Sequence, residues 1–368
     1  GLSWQILGDV PLPEGTEEAN FHEPHAVALP SGRLLGQIRY QHSTDCRRHD
    51  PFTIFQTESA DGGRTWSIDK EGFPGKSPEG HPVIPFGDIL PGEDGQLRVA
   101  IYTVPADRND RVYIYSSAND GRTWGEPVAL DTARNRNETA ILHLGDGRWL
   151  AAARTIGPDP SGRSMFLDLY GSEDDAGTWH QRMLLTESSQ HPAHLVRLKD
   201  GRLLLAYGNR TADRGVDVRF SGDEGKSWME PFRVTDWQGD GGYPSSAQLP
   251  DGRVLCGAST EFGPWLVHVE TTDGAGAAWS RTGHLHGRHI NAIQPSFLTH
   301  PDSRLQMVGR TKERRVFSIF STDMGRTWGD MTLLDVPNPD AGTDAVTLKD
   351  GRHLLVCNPV EKGRTPLA

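Results

Sequence analysis

Cysteine is scarce and scattered. Cys46, Cys256 and Cys357 are the only three in 368 residues. An odd number with no Cys-x-x-Cys pair supports neither a disulfide scaffold nor a zinc ribbon, and leaves the compartment open. No apolar run approaches the roughly 18 residues from which a membrane-spanning helix is read, and helical periodicity is nearly absent. Apolar residues make up only 35% of the chain. Positive charge is short too: 38 Lys and Arg stand against 49 Asp and Glu, a net charge of −11. That balance argues against a nucleic-acid surface and favours solubility. What is abundant is turn-forming residues, with 42 Gly and 25 Pro and no collagen-like period. Ten Trp and twelve Phe are too many for a disordered chain. The composition describes a folded, loop-rich protein.

A repeat sets the architecture. Ser59–Trp66 reads SADGGRTW and Ser321–Trp328 reads STDMGRTW, with close variants at Ser117–Trp124 and Ser221–Trp228. Worn copies lie at Ser172–Trp179 and Thr271–Trp279, and six of the ten tryptophans end these motifs. Their Asp positions, 61, 119, 174, 223, 273 and 323 (Asn at 119), recur at a pitch of 49 to 58 residues. Asp and Ser side chains bond back to nearby backbone N–H groups, Gly accepts a positive φ, and Trp is the first large apolar anchor of the next strand. A calcium loop needs spaced carboxylates and a terminal Glu, which these copies lack. The motifs are therefore read as structural turns.

Between them runs a second repeat: an extended segment, a tight Asp-Gly or Ser-Gly turn, then an apolar run. Examples are ETAILHLGDGRWLAAA (138–153), AHLVRLKDGRLLLAY (193–207) and DAVTLKDGRHLLVC (344–357). Each reads as a β-hairpin. Two hairpin halves per ~50 residues make the four-stranded antiparallel blades of a β-propeller. Dividing the chain by seven gives about 53 residues per blade, so an all-β propeller of seven blades is favoured, six being the alternative. One domain over 1–368 is expected, with N- and C-terminal strands sharing a blade.

The turn motifs, with hairpins such as QPSFL…GRT and GTDAVTLKDGRHLLVCNP, resemble the bacterial sialidase superfamily, whose Asp-box (BNR) repeats build a propeller. The resemblance covers nearly the whole chain. It implies a carbohydrate substrate and an extracellular or periplasmic site of action, the cytoplasm left open. It also implies an arginine cluster for a sugar carboxylate, a Tyr–Glu nucleophilic pair and an Asp acid/base. Asn137-Glu138 followed by Arg154 resembles the superfamily's Asn-Glu…Arg element. Arg39 and Asp45 resemble the second arginine and the acid/base aspartate. Tyr243, in Gly-Tyr-Pro-Ser-Ser, resembles the Tyr element. Two positions depart from the pattern: His22-Glu23-Pro24 stands for the early Arg-Ile-Pro, and Gly342-Thr343-Asp344 stands where the Tyr is expected.

In a propeller, inner strands begin and second strands end on one face around the axis. The second-strand ends carry Arg39, Arg154, Arg210 and Arg310. The inner-strand starts carry His22, Glu23, His25, His191, Tyr243 and Asp344, and Glu261 is a further carboxylate of the ring. Four arginines at that end point to an anionic ligand, whereas those of the D-G-R turns sit at the opposite, structural end. Burial in an arginine ring lowers a carboxyl pKa, so Asp45, on a loop, suits the acid role better than Glu138, which suits a partner for Tyr243. No metal site is expected: His284, His286 and His289 lack a tetrahedral ligand pattern with carboxylate or Cys. No cofactor is implied. The expectation is an exo-acting glycoside hydrolase on an acidic sugar. The alternatives are a polysaccharide lyase using Tyr243 and a His, or a non-catalytic carbohydrate-binding propeller.

Overall fold

The computed structural model describes residues 5, 7–11, 20–29, 31–41, 52–69, 71–159, 162–236, 242–259, 267–272, 279–285, 289–348, 350–363 and 367. Among them no helix forms, and every regular element is a strand. The chain divides into two compact units, one of Gly1–Gly75, Trp265–Val267 and Leu285–Ala368, the other of Lys76–Pro264 and His268–His284.

The first unit opens with the sheet β1 (Asn20–Ala28), β2 (Leu34–Gln41), β3 (Phe52–Ser59) and β4 (Ser67–Asp69). The second unit holds four sheets of the same order. They are β5 (Val83–Pro91), β6 (Leu97–Thr103), β7 (Val112–Ser117) and β8 (Val128–Ala129); β9 (Asn135–Gly145), β10 (Arg148–Asp159), β11 (Gly162–Ser172) and β12 (His180–Leu184). Next come β13 (Gln190–Arg197), β14 (Leu203–Asn209), β15 (Gly215–Ser221) and β16 (Phe232–Asp236); then β17 (Ser245–Gln248), β18 (Val254–Ser259), β19 (Val267–Thr272) and β20 (Trp279–Leu285). The first unit resumes with β21 (Ala292–Thr299), β22 (Leu305–Thr311), β23 (Arg315–Ser321) and β24 (Thr332–Pro337), and ends with β25 (Asp344–Thr347) and β26 (His353–Val356). Each sheet is an antiparallel meander, as the repeated hairpins require. Seven complete blades are not what the described residues form: the last sheet, β25–β26, has two strands.

The apolar runs are continuous because both faces of the middle strands are covered, and alternate residues serve different cores. In β10, Trp149, Ala151 and Ala153 join a core with Ala100, Val112 and Ile114, whereas Leu150 and Ala152 join one with Leu195, Leu203 and Leu205. In β14, Leu204 and Ala206 turn the other way, toward Val216, Val218 and Val254. In the first unit, Val10 and Leu367 form a β-bridge and share a core with Leu34, Ile38, Leu354 and Val356.

The repeated turns are scaffold. In each described copy a Ser hydroxyl donates to the Asp carboxylate two residues on and accepts a backbone N–H, as Ser221 does with Asp223 (2.8 Å) and Gly225 (2.8 Å). The same carboxylate accepts the N–H and hydroxyl of Ser227 at 2.9 and 2.6 Å. The copies with Asp61, Asp174 and Asp323 do the same. In the copy with Asn119 the amide oxygen accepts from Ser117 and the Thr123 N–H while its nitrogen donates to the Thr123 hydroxyl at 2.9 Å. The copy at 271–279 falls largely outside the described residues. The D-G-R arginines also serve their turns: Arg202, Arg253 and Arg352 each donate to the Asp two residues earlier.

Candidate functional site

Where inner strands begin, the ladders share one irregularity. Asn137 and Glu138 of β9 together oppose the single Arg154 of β10, between the pairs Thr139–Ala153 and Arg136–Thr155. His191 and Pro192 oppose Gly208, Glu23 and Pro24 oppose Ile38, and Gln294 and Pro295 oppose Gly309. Such bulges re-aim side chains and tolerate proline, which has no N–H to give the ladder. At β9 the consequence is direct, since two side chains fall within reach of one guanidinium.

Arg154 Nε donates to Asn137 Oδ1 at 2.7 Å, and Nη1 donates to Glu138 Oε2 at 2.6 Å. The Tyr243 hydroxyl, just before β17, donates to Glu138 Oε1 at 3.1 Å, with Oε2 at 3.3 Å. Arg210, just after β14, lies with its guanidinium 5.7 Å from the Tyr243 ring centre, a cation–π distance. Arg210 Nη1 also donates to the His191 carbonyl oxygen and sits 3.2 Å from His191 Nδ1. Glycine at 208 is needed for this assembly: a Cβ there would come within 2.5 Å of the Gly242 oxygen and 2.9 Å of the His191 oxygen. The chain leading to Tyr243 therefore crosses directly over β14.

The electrostatics follow from burial and these neighbours. Burial disfavours the Arg154 charge, yet the Glu138 carboxylate beside it carries its pKa above the ordinary arginine value. Tyr243 leaves 37% of its surface open, but its hydroxyl is crowded by protein atoms. That crowding and the Glu138 charge raise its pKa, against the opposing pull of Arg154 and Arg210. The phenol is thus neutral at rest and points its proton at a carboxylate. His191 is driven down to about 2 by burial, then by Arg210 and Arg154. With an arginine N–H directed at Nδ1, its proton belongs on Nε2, making it a neutral donor and a weak base.

Five residues expected at the site, Glu138, Arg154, Arg210, His191 and Tyr243, thus come together within the second unit. The first unit holds others. Arg39 of β2 lies over the Phe52 ring at 4.7 Å, and His22 pairs with it in register. Glu23 and His25 lie in the same strand β1. Arg310 donates to the Asp340 carbonyl oxygen at 3.0 Å, with Asp340 Oδ1 at 3.5 Å. Asp344 accepts from the Ser296 hydroxyl at 3.3 Å. Asp45 and Glu261 lie outside the described residues. Among the described residues no group of three or more His, Cys, Asp or Glu could hold a metal ion.

Sequence reasoning missed two buried carboxylates, one touching this cluster and one on the other face of β10. Asp110, in the loop before β7, accepts from Asn137 Nδ2 at 3.1 Å. Asp168 of β11 faces the fully buried Arg136 at 3.6 Å and accepts from Thr155 and Gln181 at 2.9 and 3.0 Å. No motif surrounds either. For the bulges, the prolines at 24, 192 and 295 were a readable signal.

Residues 245–368 match the BNR repeat-like domain family. Among solved structures, the fold is similar to a protein of unknown function from Dyadobacter fermentans (17% identity, TM-score 0.59, 86% of this chain and 94% of that one). A Trypanosoma rangeli sialidase in complex with sialic acid is similar at 17% identity and TM-score 0.58, over 88% of this chain and 56% of that one. The chain shares the β-propeller fold of these structures, with antiparallel four-stranded blades. This propeller is similar as well to a Penicillium chrysogenum α-L-arabinanase complexed with arabinobiose (17% identity, TM-score 0.54, 79% and 95% of the two chains). A comparison with curated protein sequences finds no match.

Proposed function

We propose that this propeller is an exo-acting glycoside hydrolase that releases a terminal acidic sugar from a glycan. The observation that carries the reading is the Tyr243 hydroxyl directed at Glu138, itself held by Arg154. In this reading Glu138 takes the phenol proton as Tyr243 Oη attacks the anomeric carbon and the glycosidic C–O bond breaks, with Asp45, in the acid/base role that the resemblance implies, giving its proton to the departing oxygen. Water, giving a proton to Asp45, then displaces the tyrosine, which takes its proton back from Glu138, with retention of configuration. Arg154 and Arg210 flank Tyr243 and supply charge for the carboxylate, and Arg39 and Arg310 are assigned the same role. The reading includes a single domain over 1–368 with a seventh blade built on β25–β26, which the Val10–Leu367 bridge supports.

Structures of this fold include an arabinanase and an arabinofuranosidase, so arabinose is the neutral competitor to an acidic sugar. The lyase alternative needs a base beside the uronate, and His191, at about 2, is poorly suited to take a proton.

The test is turnover of aryl glycosides of sialic acid, other ulosonic acids, uronic acids, rhamnose and arabinose, beside a uronate polymer followed for unsaturated product. Release from an acidic glycoside, lost in Tyr243→Phe and Asp45→Ala, is the expected result. Release only from arabinosides would overturn the acidic-sugar assignment, and ultraviolet absorbance rising on the polymer would replace hydrolase by lyase.

A further inference from the structure

Behind Tyr243, Glu138 and Arg154 stands a carboxylate that no motif announces. Asp110 is 1% exposed, and its main-chain oxygen accepts the N–H of Arg136 at 3.0 Å. Its side chain accepts from Asn137 Nδ2 at 3.1 Å. An amide can be turned either way, but an ionised carboxylate only accepts. Asp110 therefore fixes the Asn137 amide with nitrogen toward itself and oxygen toward Arg154, whose Nε donates there at 2.7 Å. With Nε so engaged, Arg154 presents Nη1 to Glu138 Oε2 at 2.6 Å, and Oε1 is the oxygen that Tyr243 meets at 3.1 Å. Of these links only the Asn137 amide could be turned round, and Asp110 at the buried end fixes it.

We propose that Asp110 is a positioning residue for the Tyr243–Glu138 pair, acting through Asn137 and Arg154. It holds the Asn137 amide oxygen on Arg154 Nε, and so fixes the guanidinium whose Nη1 holds Glu138 beside the Tyr243 hydroxyl. The kinetic part rests on the hydrolase reading, and the structural part stands without it.

Three variants separate the possibilities. In Asp110→Asn the new amide can donate to Asn137, turning its nitrogen toward Arg154 Nε so that two donors face each other. The exchange Asp110→Asn with Asn137→Asp restores the pattern, because residue 137 then accepts from both sides and the net charge is unchanged. Asn137→Ala cuts the same link while leaving Asp110, should the first variant fold poorly. The readout that needs no substrate is ¹⁹F NMR of protein carrying 3-fluorotyrosine at its seven Tyr positions, the Tyr243 resonance being the one missing in Tyr243→Phe.

Asp110→Asn and Asn137→Ala should move that resonance. The exchange variant should return it. With an active glycoside, Asp110→Asn should lower kcat by about 10–100-fold, the usual cost of disturbing a group that orients a functional residue, with little change in KM. The exchange variant should recover kcat. A folded Asp110→Asn protein with the Tyr243 resonance unmoved would overturn the proposal, as would an exchange variant no better than the single one. If no glycoside is turned over by the unaltered protein, the hydrolase reading fails while the NMR comparison still decides the role of Asp110.

Discussion

Replacing Glu138 by Gln tests the Tyr243–Glu138–Arg154 cluster through stability and turnover together. The side chains of Arg154 and Glu138 are only 10% and 13% exposed, with 2.6 Å between charged atoms. Removing one partner of such a pair leaves a buried charge uncompensated, which costs about 3–5 kcal/mol. Gln keeps an acceptor for Arg154, and Asn137 keeps its bond to Nε. The expected loss therefore sits at the lower end, about 3 kcal/mol. It is measured from guanidinium unfolding followed by tryptophan fluorescence. The same amide must give its oxygen to Arg154 and turn its NH₂ toward Tyr243, so the phenol loses its proton acceptor. Turnover should fall by about 10²–10⁴-fold, the usual contribution of a general base. A double variant, Glu138→Leu with Arg154→Met, removes both charges and should recover most of the lost stability. Stability within about 0.5 kcal/mol of the parent, the scatter of ordinary surface substitutions, would refute the claim that the pair is buried and coupled.

Gly208→Ala should abolish turnover while the sheets still form, because its Cβ would press on the Gly242 and His191 backbone; a crystal structure should show the Tyr243 hydroxyl displaced from Glu138. Ser303 adopts φ 67°, where the corresponding turns have Gly201, Gly252 and Gly351 at 83–90°. Relief of a left-handed side chain, roughly 1–2 kcal/mol, less the ~0.5–1 kcal/mol of extra freedom glycine gains in the unfolded chain, makes Ser303→Gly stabilising by about 0.5–1 kcal/mol in the same unfolding assay. The Asp223 carboxyl is held at about 2, below its ordinary 3.8, by bonds from the Ser227 side chain and backbone and from Ser221. A lowered carboxyl pKa stabilises the fold above the unfolded value and loses that effect as pH falls from 3.8 through about 2. The stability gap between the parent and Asp223→Asn should therefore shrink across that window.

The legible parts were those where chemistry is local. Ser59 with Asp61 and Ser321 with Asp323 bond within a few residues of themselves, so the turn reading needed nothing distant. Glu138 and Arg154 were visible as neighbours because a hairpin joins them. Tyr243, 105 residues from Glu138, was legible as an inner-strand start and by resemblance, but its contact with Glu138 was not. Asp110 was not legible at all: it is one of many acidic residues in loops, and its role comes from the side chain it faces across two sheets.

From sequence alone came the class and the repeat: hairpins of period two, tight turns with glycine at positive φ, and meander sheets with both faces apolar. These are determined by backbone sterics and by solvent exclusion acting over short stretches, so they can be read without knowing which strand lies beside which. Tertiary structure decided what meets at the strand ends. The bulges opposite Arg154 and Gly208, the crossing of Gly242 over β14 and the orientation of Asn137 by Asp110 depend on register and on contacts between distant segments. A one-residue change in pairing reverses which side chains face each other, and no composition or periodicity records that choice.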